Sequence, residues 1–295
     1  MEPLDLIRLA PLMARTSGRA DVGVGMVDGS VAAEHPGLAG RRIVVLHRAG
    51  GGRGEDCGAA GGGSSCRHGT FVAGVLSAGR SSAAPGICPR CTLLVRPIFA
   101  ADRPGRRVAP SAGLDELAAA IVETVDAGAR VLNLSVAPER PSGTGHRALE
   151  EALDHAASRG VITVVAAGNQ GRLGTSAITR HPWTIPVVAY DRRGRPMNLS
   201  NLGGSIGGGV GAPGEGIVSL GTDGRPLTLT GTSAATPFVA GTVALLLSEF
   251  PGASAAEVRA AVLRGGSASR RTVVPPLLDA WAAYTFLCAV RGHRA

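Results

Sequence analysis

The sequence predicts a single α/β domain, a doubly wound, mostly parallel sheet with helices on both faces. Three observations carry this expectation. Short runs rich in valine and isoleucine, bounded by glycine or charge, recur as buried parallel-type strands. Helical patterns fall between them, which implies right-handed crossovers. No low-complexity linker or internal repeat divides the 295 residues, a length that buries one generous core.

The strands are expected at Val22–Val27, Ile43–Leu46, Thr92–Ile98, Arg130–Val136, Val161–Ala166 and Thr184–Val188. Leu114–Asp126 repeats apolar residues at helical spacing, and Gly128 supplies its stop. His146–Ala157 does the same and ends at Gly160. After Val188 come short strands and glycine-rich turns (NLGGSIGGGVGAPGEGIVSL), then helix Thr232–Glu249. Helix Ala253–Leu263 follows Pro251, and Leu277–Leu287 closes the chain. Residues 1–20 read as an N-terminal extension, 21–287 as the domain and 288–295 as a tail. Ala49–Ser65, Pro104–Ser111 and Pro138–Gly145 read as loops. Ligands of open α/β sheets bind beyond the carboxyl ends of the strands, so these loops should rim a cleft.

Composition excludes several functions. The net charge of +8 suggests nucleic acid, but all 30 basic residues are arginine, scattered singly or in pairs. Aromatics, at 3%, are too sparse for a base-stacking platform, so no nucleic-acid partner is expected. The absence of lysine removes a Ser–Lys dyad, a Schiff base and a Walker A loop. No segment reaches the run of about 20 apolar residues that spans a bilayer, so no membrane association is expected. Asp5, Arg8 and Arg15 interrupt the first apolar residues, and no basic region precedes them. The expectation is a cytoplasmic location with no long folding prosegment.

Chemistry concentrates in the run GTSAATPFVAG, Gly231–Gly241. Ser233 lies at the start of a long apolar helix, where the N–H groups and the positive end of the dipole stabilise an oxyanion. Asp28 closes the strand VGVGMVDGS, and His68 opens the helix-like run HGTFVAGVL. A serine nucleophile needs a base within reach, and an imidazole titrating near 6.5 supplies one. A carboxylate then fixes the tautomer and stabilises the imidazolium. Each residue alone reads more simply as a cap or a turn former, but the order Asp28, His68, Ser233 reads as a triad. Asn169 ends a buried strand in VVAAGNQG and suits an oxyanion donor, with an asparagine turn as the plain alternative. Gly231-Thr232-Ser233-Ala234-Ala235 lacks the second glycine of a G-x-S-x-G elbow, which argues against a lipase-type hydrolase.

The segments VGMVDGSVAAEHPGL, RHGTFVAGVL, ARVLNLSV, VVAAGNQG and LTGTSAATPFVAGTVALLL resemble the blocks of the subtilase family, from about Asp21 to Ala283. The resemblance implies a subtilisin-like serine endopeptidase with Asp28, His68 and Ser233 as triad and Asn169 as oxyanion donor. It also implies that Ser135-Val136-Ala137 and Ala166-Ala167-Gly168 flank the P1 pocket. Two positions depart from the common pattern: the acid block reads Asp28-Gly29-Ser30, and Phe71 stands where a second histidine is usual. The Asp-Gly start, the pair His35-Pro36 and CPRCTLLVRPIFA resemble proteases that mature cyanobactins and related ribosomal peptides. Those enzymes cut a precursor peptide beside its modified core. The segment between Asp28 and His68 reads as a glycine-rich loop rather than a shielding helical pair, which favours hydrolysis over ring closure. A broad-specificity subtilase is one alternative, and an inactive leader-peptide binding module is another.

No cofactor, metal or calcium site is expected. Cys88-Pro89-Arg90-Cys91 has metal-ligand spacing, but the Cys57–Cys66 gap is too wide for the other half of a zinc ribbon. Free or buried thiols are the expectation for all five cysteines, with a disulfide among the first four as the alternative.

Overall fold

The run beginning at Val22 forms strand β1 (Gly23–Asp28), buried at every residue. Such a run needs cover on both faces, and helices supply it. The computed structural model describes residues 1–47, 57, 63–99, 111–137, 145–203, 209–264 and 273–292. Most of the expected loops at 49–65, 104–111 and 138–145 lie outside the described residues, as do residues 293–295 of the expected tail.

β1 lies between β3 (Thr92–Pro97) and β4 (Ala129–Leu134), with β2 (Arg42–Val45) at the edge beyond β3. β5 (Ile162–Ala166), β6 (Ile185–Tyr190) and β7 (Val210–Pro213) continue on the other side. The order is β2-β3-β1-β4-β5-β6-β7, with all neighbours parallel. The expected doubly wound α/β sheet is borne out. Chain order reverses at β1, and a crevice opens at such a switch point beyond the carboxyl ends. Asp28 is the last residue of β1.

Alternation along the strands feeds two cores. Val24 and Met26 of β1 face one core with α3 (Ser64–Ser77) and α6 (Thr232–Glu249). Val27 faces the other with α4 (Leu114–Asp126) and α5 (Arg147–Ser158). α6 runs for about 27 Å through the first core and is buried along nearly its whole length. Its Thr236, Thr242 and Ser248 hydroxyls donate to carbonyls four residues back, so these polar groups are not stranded in the apolar interior. Arg96 of β3 is buried under α4, where its guanidinium meets Glu116 and Glu123.

Several boundaries differ from expectation. In residues 1–20, expected as an N-terminal extension, helices α1 (Pro3–Leu6) and α2 (Ala10–Arg15) precede β1, and Ile7, Leu9 and Leu12 are fully buried. The charges that interrupt this apolar series turn outward, with Arg8 pairing Asp279 and Arg15 pairing Glu249. α7 (Ala255–Arg264) starts behind Ser254 and Glu257, which cap each other's backbone N–H. α8 (Ala280–Arg291) starts later than expected because Asp279 accepts the Ala282 N–H, and it carries Cys288 into the core. Between β7 and α6, β8 (Ile217–Leu220) and β9 (Pro226–Leu229) form an antiparallel hairpin.

Candidate active site

Asp28 reaches the crevice at the end of β1, where its carboxylate is fully buried. Its Oδ1 accepts the Gly29 N–H at 2.6 Å and meets His68 Nδ1 at 2.7 Å. An ionised carboxylate only accepts, so Nδ1 carries the proton and Nε2 is left as the base. Burial opposes the charged imidazole, but the charge and hydrogen bond of Asp28 outweigh it, raising the His68 pKa above 6.5.

His68 does not open its helix: α3 begins at Ser64, so His68 stands one turn inside it. α3 meets β1 at very close range. A Cβ on Gly29 would lie 2.0 Å from the Ser65 carbonyl oxygen, and one on Gly69 would lie 2.4 Å from that of Ser30. Gly29, within the Asp28-Gly29-Ser30 departure noted in the sequence, therefore leaves room for this close approach of helix to strand. Cys66, two residues before His68, forms a disulfide with Cys57. This corrects the expectation of free thiols: two of the first four cysteines are bonded, with their Cα atoms 5.7 Å apart. Cys88 and Cys91 are buried free thiols, and the Cys91 N–H donates to the Cys88 carbonyl at 3.0 Å.

Ser233 occupies the first turn of α6, where its N–H has no intrahelical partner and points to the crevice with the helix dipole. Pro237 explains a further contact. Residue 237 would donate its N–H to the carbonyl four residues back, that of Ser233, but proline has none to give. The Ser135 hydroxyl, at the end of β4, donates to that carbonyl at 3.0 Å and accepts from Asn133 Nδ2 at 2.9 Å. Ser135, expected to flank the P1 pocket, thus also holds the Ser233 peptide through its hydroxyl.

Asn169 follows β5. Its Oδ1 accepts both the Thr232 N–H at 2.9 Å and the Thr232 hydroxyl at 3.0 Å. That fixes the amide's orientation and leaves Nδ2, beside Gly231, without a hydrogen-bond partner among the described residues. A second asparagine, absent from the sequence reading, sets the turn that carries Asn169. Asn201 Oδ1 accepts the N–H groups of Gln170 and Arg172, and its Nδ2 donates to the Ala167 carbonyl and to Gln170 Oε1. Gly168 between them has φ +100°, and a Cβ there would strike Asn201 Nδ2. No periodicity marks Asn201; only its place in the folded turn does.

Val136 and Ala137 continue from β4, while Ala166, Ala167 and Gly168 end β5 or follow it. The two strands are parallel, with Leu134 opposite Val165, so these segments lie side by side at the mouth of the crevice. The ten residues singled out in the sequence thus lie at or just beyond the carboxyl ends of β1, β4 and β5, one turn inside α3 and in the first turn of α6. Asp28 and His68 are bonded, as are Ser135 and Ser233. Among the described residues no hydrogen bond joins Ser233 Oγ to His68, a contact that commonly tightens only with substrate bound. Imidazole, hydroxyl, helix N–H and uncommitted amide N–H together can carry acyl transfer. No helix among the described residues is long and apolar enough to cross a membrane.

Comparison with known proteins agrees with this arrangement. A thermophilic serine proteinase of Bacillus sp. (strain AK1) is 37% identical over 197 residues, which are 66% of this chain and 45% of that protein. The chain therefore matches somewhat less than half the length of that relative. Subtilisin DY of Bacillus licheniformis is 31% identical over 261 residues, 87% of each chain. Among solved structures, the protease domain of PatA superposes with a TM-score of 0.81 at 32% identity, covering 92% of this chain and 97% of that one. The prenylagaramide maturation protease PagA gives 0.82 at 27% identity, covering 95% and 98%. The subtilase family profile matches residues 19–273, and the chain belongs to that family.

Proposed function

We propose that this chain is a serine endopeptidase that cuts a ribosomally made precursor peptide in an extended conformation, beside the segment to be released. Ser233 Oγ attacks the scissile carbonyl carbon while His68 Nε2 takes its proton. Asn169 Nδ2 and the Ser233 N–H hold the oxyanion. The intermediate collapses by breaking the C–N bond, with His68 returning the proton to the leaving amine. Water then repeats the sequence on the acyl-enzyme and frees Ser233. Asp28 keeps the imidazole in the required tautomer throughout. Ser135-Val136-Ala137 and Ala166-Ala167-Gly168 would offer their backbones to the substrate as an added strand.

The observation that carries this reading is the buried Asp28–His68 bond at the switch point, beside the Asn169-anchored start of α6. The likeness to PagA, a maturation protease by name, supports the substrate class. The likeness to subtilisin DY favours a second reading, a protease of broad specificity. Candidate precursor peptides and unfolded casein, each incubated with the protein and read by mass spectrometry, separate the two. Cleavage at one precursor junction with casein largely spared supports maturation; indiscriminate cleavage of casein refutes it. For location, the cytoplasmic proposal meets an opposing feature in Cys57–Cys66, since disulfides persist in oxidising compartments. Thiol alkylation of protein taken from its native cells decides: a reduced pair supports the cytoplasm, an oxidised pair contradicts it.

A further inference from the structure

Beyond the crevice, an open groove of about 680 Å³ lies among the loops that precede β1, β2 and β3, at the amino-terminal ends of those strands and so opposite Asp28. Its walls are Gly18–Asp21, Gly40–Arg42 and Pro89–Arg90. Arg19, Arg41, Arg42 and Arg90 line it against one carboxylate, Asp21. The whole chain carries 30 arginines to 22 acidic residues, so four to one is a local concentration. Arg19 already engages Asp21 at both oxygens, at 2.9 and 2.8 Å. Arg41 is held by neutral acceptors, the carbonyls of Ala39 and Pro89, so its charge is not cancelled. Arg42 and Arg90 have no ion pair among the described residues.

The groove is fixed rather than fluid. Arg90 N–H donates to the Ser17 carbonyl, the Thr92 hydroxyl to that of Ala20, and Arg19 N–H to the Ser248 hydroxyl. Beside it, β2 is bonded only to β3, and no described strand pairs with its outer edge. A strand edge presents backbone donors and acceptors that an extended peptide matches. No aromatic side chain lines the groove, so nucleic-acid bases would have nothing to stack on.

We propose that this groove is a second binding site for the substrate, taking an acidic, extended stretch of peptide whose carboxylates meet Arg41, Arg42 and Arg90 while its backbone adds to the edge of β2. The proposal rests on the peptidase reading in naming the substrate as its occupant. The six residues of β3 separate groove from crevice by about 20 Å. The acidic stretch should therefore lie at least about six residues from the scissile bond.

The test uses the Ser233→Ala chain and a fluorescent ten-residue peptide alternating glutamate and threonine, with binding read by anisotropy at low salt. The Arg42→Ser/Arg90→Ser variant should bind about tenfold more weakly, the size expected of a few exposed charge pairs. Added salt should remove the difference. Equal binding by the variant overturns the proposal, as does a single-stranded oligonucleotide of equal charge binding as tightly as the peptide. In the active chain, a substrate carrying this acidic tail should have a KM about tenfold below the tail-less one, and the variant should bring the ratio near one. A chain that binds the acidic peptide through these arginines but cuts nothing refutes the peptidase reading and leaves the groove standing. One that cuts both substrates with equal KM refutes the groove as a substrate site.

Discussion

Replacing Ser135 with alanine should damage the site through the Ser233 peptide rather than through substrate binding. Two bonds are lost: the donor to the Ser233 carbonyl at 3.0 Å and the acceptor of Asn133 Nδ2 at 2.9 Å. Asn133 is fully buried, so the amide is left without a partner. Each such loss costs about 1–3 kcal/mol, giving a destabilisation of about 2–6 kcal/mol. The loosened peptide carries the nucleophile, and a displacement near 1 Å lowers kcat by up to about a hundredfold. Pro237→Ala supplies the missing N–H to the same carbonyl, so the double variant should recover about 0.5–1.5 kcal/mol relative to the sum of the single changes. Urea unfolding of all four proteins reads this coupling independently of the entropy that proline removes from the unfolded chain. Additivity within about 0.5 kcal/mol would show that Pro237 is not why Ser135 is needed.

Three further outcomes follow from the same geometry. Asn169→Ala should lower kcat by about 10²–10³ with little change in KM, and Asn201→Ala should reproduce part of that kcat loss because it releases the turn carrying Asn169; an Asn201 variant that changes only thermal stability would refute its positioning role. The limb of kcat/KM governed by His68 should rise with pH through a value above 6.5, because catalysis needs the neutral imidazole and Asp28 favours the charged one. Asp28→Asn should move that limb to lower pH and cut kcat by about 10⁴. By the same linkage, the His68–Asp28 pair contributes stability fully below 6.5, and this is lost as pH rises through the folded value. Finally, Gly29→Ala should destabilise by more than about 3 kcal/mol, since its Cβ would meet the Ser65 carbonyl oxygen at 2.0 Å; a near-native melting temperature would contradict the close approach of α3 to β1.

The sheet was legible because buried parallel strands write themselves as continuous apolar runs, and α4 was legible to the residue because its spacing and Gly128 agree. Asp28, His68, Ser233 and Asn169 stood out because glycine and small residues crowd around them, and the close packing at Gly29 and Gly69 explains that crowding. What periodicity could not show was set by contacts between distant residues. The burial of Ile7, Leu9 and Leu12 depends on a core assembled from the rest of the chain. The Cys57–Cys66 bond spans a separation of 9 residues, and spacing alone does not say how near the two Cα atoms come. The hydroxyl of Ser135 and both ends of the Asn201 amide are committed across gaps of 98 residues (Ser135) and 29 to 34 residues (Asn201), beyond any local pattern.

Acyl transfer at this site requires Ser233 to be an activated nucleophile. A fluorophosphonate probe, followed by peptide mapping, measures this without knowledge of the natural substrate. Stoichiometric labelling at Ser233, abolished in Ser233→Ala and slowed by orders of magnitude in His68→Ala, is the predicted result. A native protein that leaves Ser233 unlabelled, or labels it equally fast without His68, would contradict the account.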